Sequence, residues 1–141
     1  MASPSVRIVR SVKFSAAHRY VSAQLSDAEN QRVFGACYRP HGHGHNYRLD
    51  VGVEGAVDPI TGMVMNLADL DRVLKREVVA PFDHSFLNYD IEHFAETVPT
   101  CENLALYFAR VLPPHIEAAT EGRMASVRVW ESDDLFAEVE L

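Results

Sequence analysis

Over residues 6–17, VRIVRSVKFSAA, the apolar side chains of Val6, Ile8, Val12 and Phe14 recur at every second position, interrupted by Arg10. Residues two apart share a strand face, so this alternation predicts a first strand with His18 at its end. Residues 44–55, GHNYRLDVGVEG, place Tyr47, Leu49, Val51 and Val53 on one side and predict a second strand. Between them, SDAENQRVF offers Ser26 as N-cap with Glu29 three residues on, a capping box that opens a short helix. After turn residues at DPITGM the period changes. Asn66 caps LADLDRVLKREVV, in which Leu67, Leu70, Val73, Leu74 and Val78 form one helical stripe, and Pro81 is expected to end it. Thr100 caps a further helix, CENLALYFARVL, whose apolar face is Leu104, Tyr107, Phe108 and Val111 and whose expected stop is Pro113–Pro114. MASVRVWES and LFAEVEL read as two closing strands joined at Asp133–Asp134.

Long strands followed by helices and then strands again predict an α+β domain, with an antiparallel sheet and its helices on one face. No repeat, linker or low-complexity run divides the chain, so residues 1–141 form one domain, long enough to bury a core of its own. Such a sheet has edges that need cover, which makes oligomerisation through them the expectation. A formal charge of −7 argues against nucleic acid, whose affinity comes from cations set against phosphates. Two cysteines make no disulfide framework. The start, MASPSVRIVRSVKF, has no continuous apolar run, so no membrane segment is expected and the cytoplasm is the expected location.

Chemistry concentrates in GACYRPHGHGHNY, residues 35–47. On a strand His43 and His45 converge on one side, as do His41 and His43, while Gly42 and Gly44 let the backbone bend or approach a ligand closely. His18, ending the first strand, is the best third ligand. Three imidazoles with an open position are the pattern of catalytic zinc, although imidazole also suits iron, nickel and copper. Cys37 has two available jobs: fourth ligand of a closed site, or a thiolate acting as base or nucleophile beside a cation. Its Gly35-Ala36 turn and the histidine count favour the base. Asp83 beside His84 offers a carboxylate to orient an imidazole, though for that pair alone a loop aspartate capping a turn is the more common explanation. Glu102 in a helix first turn and Glu131 just after Trp130 read either as solvated carboxylates or as bidentate acceptors for a guanidinium-like group. Cys101 reads as a buried helix residue, and His93 and His115 as surface residues.

FSAAHRY, FGACYRPHGHGHNY, DPITGMVMNLADL, FDHSFLN, PTCENLA and VRVWES together resemble the 6-pyruvoyltetrahydropterin synthase family, from about residue 10 to the C-terminus. The resemblance implies a tunnelling fold: a four-stranded antiparallel sheet with two helices on one side. The strands of three subunits would join into a barrel, and two such trimers would stack into a homohexamer with sites at subunit interfaces. It further implies zinc (Zn2+) on His18, His43 and His45, Cys37 as base, and Asp83 with His84 completing its proton relay. Glu131 would anchor the 2-amino-4-oxo edge of a pterin triphosphate substrate, helped by Thr100, Cys101 and Glu102; the family often has Thr or Ser at 101.

In animal-type pyruvoyl synthases five residues separate the cysteine from HGH. In the queuosine-pathway relatives, which form 6-carboxytetrahydropterin, three do. Cys37-Tyr-Arg-Pro-His41-Gly-His43-Gly-His45 satisfies both. The segments SAQLSDAENQRVFG and TGMVMNLADL look more like the pyruvoyl enzyme, which puts His43 and His45 on the metal. A non-catalytic metal- or pterin-binding module is the rival from another class. Aldolase-type cleavage of dihydroneopterin ranks below both, because it uses a glutamate where this chain has Cys37.

Overall fold

The structure is a computed structural model that describes residues 4–141. Two long strands, β1 (Ser5–His18) and β2 (His43–Ala56), pair antiparallel along their whole length, from Ser5 opposite Ala56 to His18 opposite His43. Between them lie α1 (Asp27–Phe34), opened by the expected Ser26–Glu29 capping box, and a single 3-10 turn, Gly35–Tyr38. The chain then runs through α2 (Leu67–Leu74), α3 (Ala80–Phe82), β3 (Ser85–Phe86), α4 (Leu87–Asp90) and α5 (Cys101–Ala119). It closes with β4 (Arg123–Ser132) and β5 (Leu135–Glu140), joined as expected at Asp133–Asp134. Among the described residues no helix is long and apolar enough to cross a membrane.

The sheet order is β3-β1-β2-β4-β5. Four antiparallel strands match the expectation, but two-residue β3 pairs parallel to β1 and makes the sheet mixed and five-stranded. So short a strand leaves no alternation to read. In the single chain the sheet is open, with β3 and β5 at its edges.

Both proline stops are overrun. Beyond α2 the backbone widens into a π turn over Lys75–Val79 and re-forms as α3, with Pro81 inside its first turn. At that position proline needs no N–H donor, and Asp83 N–H closes the end onto the Val79 carbonyl at 2.9 Å. Helix α5 passes through Pro113 and Pro114 to Ala119. Each proline withholds a helix hydrogen bond, yet Leu104, Phe108, Leu112 and Ile116 form a fully buried row along the helix. Burial of Leu112 and Ile116, about 1.5–3 kcal/mol each, helps offset that loss.

The sheet's inner face (Phe14, Ala16, Tyr47, Leu49, Val51, Val53, Val127, Val129) packs against α2 and α5 in one core. Phe14 stacks on Tyr47 with centroids 5.0 Å apart and meets Phe82 and Phe108 edge-on. The start of β1 extends beyond this core, so Val6, read as inward, is 41% exposed.

Candidate active site

The register that builds the sheet also builds the site. His18 and His43 are direct partners across the β1–β2 pair, and His45, two residues on, shares their inward face. The three rings stand 4.9, 5.0 and 5.1 Å apart pairwise, with their ligating nitrogens all within 4.8 Å of one another. His18 Nε2 lies 3.3 Å from His43 Nε2. Gly42 makes the entry possible: its φ is +64°, and a Cβ there would lie 2.5 Å from the His18 carbonyl oxygen. His41 is exposed ahead of β2 and stands outside the cluster.

The donor set fits a metal cation. His18 is completely buried, and burial holds its pKa down at about 3, with the His45 and His43 charges adding and the Pro99 carbonyl opposing. Burial also lowers His45, against the pull of Glu131. Neutral imidazoles with convergent lone pairs are the ligand form. His45 Nε2 is buried without a hydrogen bond: Glu131 Oε1 is 2.9 Å away but not aligned for one. A buried nitrogen without a hydrogen bond, on a ring packed beside two other imidazoles, is what a cation would satisfy.

This has a consequence for pH. The unfolded chain binds a proton at His18 near pH 6.5, whereas the folded chain does so only near 3. The contribution is therefore complete above pH 6.5 and drains away as pH falls towards 3. Chelator-treated protein is expected to lose on the order of 2 kcal/mol between pH 7 and pH 5 from His18 alone, read by urea unfolding. His45 and His93, also lowered, push the same way, while Asp50, Asp58 and Asp83 titrate below this window. Equal stability at the two pH values would mean that His18 is not held neutral.

Cys37 sits in the 3-10 turn with its Sγ 3.9 Å from His43 Nε2, and its carbonyl accepts from Tyr20 N–H at 2.8 Å. Burial first, then Glu131, pushes its thiol pKa up, so a thiolate there requires a nearby cation. Glu131 is no solvated strand end. It is 12% exposed, and the same Oε1 lies 3.8 Å from His18 Nε2. Tyr20, whose ring is 4.7 Å from that of His18, is the common neighbour: Glu131, Cys37, Glu102 and Cys101 all add to the burial that raises its phenol. Thr100 caps α5 by accepting from Asn103 N–H at 3.1 Å, and Glu102 is exposed in the first turn. The buried Cys101 thiol donates to the Val129 carbonyl at 3.1 Å, which ties α5 to β4. Burial pushes its pKa up to about 11.

Asp83 and His84 are not members of the three-histidine cluster. They pair with each other, Nδ1 to Oδ2 at 3.0 Å, because His84 takes a left-handed φ of +62° that folds its ring back. Asp83 Oδ1 accepts from Ser15 N–H at 2.8 Å, and the His84 side chain, 85% exposed, opens beside Ser15 and Asn46 on the sheet's outer face. His115 does lie at the surface beside Glu77, but His93 is half-buried against Phe94 and Tyr107.

Sequence reasoning missed Tyr20 and the polar end of Tyr47. Their signal was position alone, each two residues beyond a clustered histidine.

The family model for 6-pyruvoyl tetrahydropterin synthase matches residues 7–141. The chain belongs to that family. It is 44% identical over 132 residues to the human 6-pyruvoyl tetrahydrobiopterin synthase, spanning 91% of this chain and 86% of that protein. It is 49% identical over 110 residues to the synthase of Poecilia reticulata, 75% of each chain. A putative 6-carboxy-5,6,7,8-tetrahydropterin synthase of Archaeoglobus fulgidus is 42% identical over 98 residues, 69% of this chain and 74% of that one. The solved structure of the Caenorhabditis elegans 6-pyruvoyl tetrahydropterin synthase superposes with a TM-score of 0.91 at 37% identity, covering 100% of this chain and 99% of that one. This chain is therefore an enzyme of the pterin-synthase type.

Proposed function

We propose that the enzyme converts 7,8-dihydroneopterin triphosphate to 6-pyruvoyltetrahydropterin with release of triphosphate, using zinc held by His18, His43 and His45. The observation that carries this reading is the convergence of three imidazoles beside Cys37 and Glu131. Zinc bound there would supply Lewis acidity towards the hydroxyls of the substrate side chain. The chain's own residues do the rest. Cys37, as a thiolate, takes a proton from a side-chain carbon and returns one to the pterin ring. Glu131 accepts hydrogen bonds from the 2-amino and ring N–H groups, fixing the pterin's orientation. Tyr20 walls the space between them.

The Asp83–His84 pair serves Cys37 from a neighbouring subunit. Its own chain turns it outward, in line with a homohexamer whose barrel joins the open sheet edges. A cytoplasmic location belongs to the same proposal. The second reading, formation of 6-carboxytetrahydropterin with loss of acetaldehyde and triphosphate, is favoured by the archaeal relative and by the Cys37-to-His41 spacing.

Mass analysis of the product from purified enzyme and dihydroneopterin triphosphate decides between the two. No turnover of the substrate by zinc-loaded enzyme would sink both. Glu131→Gln tests the anchor: a lost charged hydrogen bond of about 1.5–3 kcal/mol predicts a KM raised by about 10- to 100-fold with zinc content unchanged. Zinc loss at constant KM would instead make Glu131 a residue of the metal site.

A further inference from the structure

Tyr47 follows His45 by two residues on β2 and is almost wholly buried, 1% exposed. Its ring is clamped against Phe14, which Phe82 and Phe108 enclose in turn. Its hydroxyl lies 2.8 Å from His18 Nδ1. His18 Nε2 is the nitrogen that faces His43.

We propose that Tyr47 is a positioning residue for the histidine cluster: its hydroxyl holds the His18 ring in the orientation and tautomer that leave Nε2 free for a divalent cation. The inference rests on the reading of the cluster as a cation site. A neutral imidazole carries one proton. If Nε2 holds it, Nδ1 is a bare acceptor and Tyr47 donates its O–H. If Nε2 gives its lone pair to a cation, Nδ1 carries the proton and the Tyr47 oxygen accepts it. A hydroxyl serves both states without moving, because it is donor and acceptor at once. The aromatic clamp fixes where the hydroxyl stands, and the hydroxyl fixes the plane of the His18 ring. Partners of this kind on the far nitrogen of a ligand histidine typically carry about 10- to 100-fold in metal affinity.

The test uses the full chain, stripped with chelator and titrated with Zn2+ and with Co2+ as a spectroscopic probe. Tyr47→Phe is expected to bind Zn2+ about 10- to 100-fold more weakly in competition with a chelating dye and to change the Co2+ visible bands. Phe14→Leu loosens the clamp but keeps the hydroxyl; it is expected to lower thermal stability and keep most of the Zn2+ affinity. Equal affinity and an unchanged Co2+ spectrum in Tyr47→Phe overturn the proposal. So does a Phe14→Leu variant that loses as much Zn2+ affinity, which would reduce Tyr47 to packing. Should Tyr47→Phe fail to fold, nitrogen-15 spectra of the wild-type zinc complex decide. An Nδ1–H on His18 hydrogen-bonded to the Tyr47 oxygen supports the assignment; one bonded to the Pro99 carbonyl instead, or cation binding through Nδ1, overturns it. Wild-type protein that binds neither ion removes the cation site itself, an outcome distinct from a variant that binds as tightly as wild type.

Discussion

Cys37→Ala is expected to keep one zinc per chain while turnover falls by ~10²–10⁴, the usual share of a positioned acid–base group. Three imidazoles with a water complete a catalytic site without the thiol. Among the described residues the mutually close ligand atoms are those of His18, His43 and His45, and Cys37 Sγ lies 3.9 Å from His43 Nε2. Burial and Glu131 hold the thiol up in the metal-free chain, so iodoacetamide is expected to modify Cys37 faster once zinc is bound. A ligand thiolate would be protected instead. Loss of zinc in Cys37→Ala would sink the base assignment and restore a closed, structural site.

His84→Ala is expected to cost a similar factor, and the double variant little more, because groups that act as one unit are not additive. Its placement sharpens that expectation. Since the His84 side chain is 85% exposed and paired with Asp83, the relay proposed for Cys37 is expected to cross between subunits. Subunits carrying Cys37→Ala, refolded together with subunits carrying His84→Ala, are then expected to regain part of the activity, since some interfaces pair two intact partners. No recovery together with fully multiplicative losses would place the two residues on separate steps.

What was legible beforehand follows from which interactions are local. The β1 and β2 periodicities, the Ser26–Glu29 box and the Asn66 and Thr100 caps depend on neighbours within a few residues, and each stands where the sequence put it. The proline stops failed because tertiary burial of Leu112 and Ile116, and a π turn ahead of Pro81, outweigh a local rule. Two-residue β3 carries no pattern at all. At the site, strand alternation was enough to align His43 with His45, but left His41 with His43 equally open. The family resemblance favoured His43 with His45, and the pairing of β1 with β2 sets that pair beside His18. The roles of Tyr20 and Tyr47 depend on contacts across the fold, so the same alternation that reads Tyr47 as core says nothing of where its hydroxyl ends.

That choice of register carries the largest expected effect on metal binding. His18→Ala, His43→Ala and His45→Ala are each expected to lose zinc in metal analysis of dialysed protein, because two imidazoles fall short of the three protein ligands a catalytic zinc site uses. His41→Ala is expected to retain it, being exposed and ahead of the strand that faces His18. The three losses differ in their effect on the metal-free fold. His18→Ala opens a hole under β1 and leaves the Tyr47 hydroxyl without its partner, so the stripped protein is expected to melt earlier. His45→Ala removes a buried nitrogen that had no hydrogen bond and is expected to leave the stripped protein about as stable as wild type. If His41→Ala strips the ion while His45→Ala keeps it, the ligands lie one His-Gly step earlier. The three-residue spacing of the carboxy-forming relatives would then describe this chain.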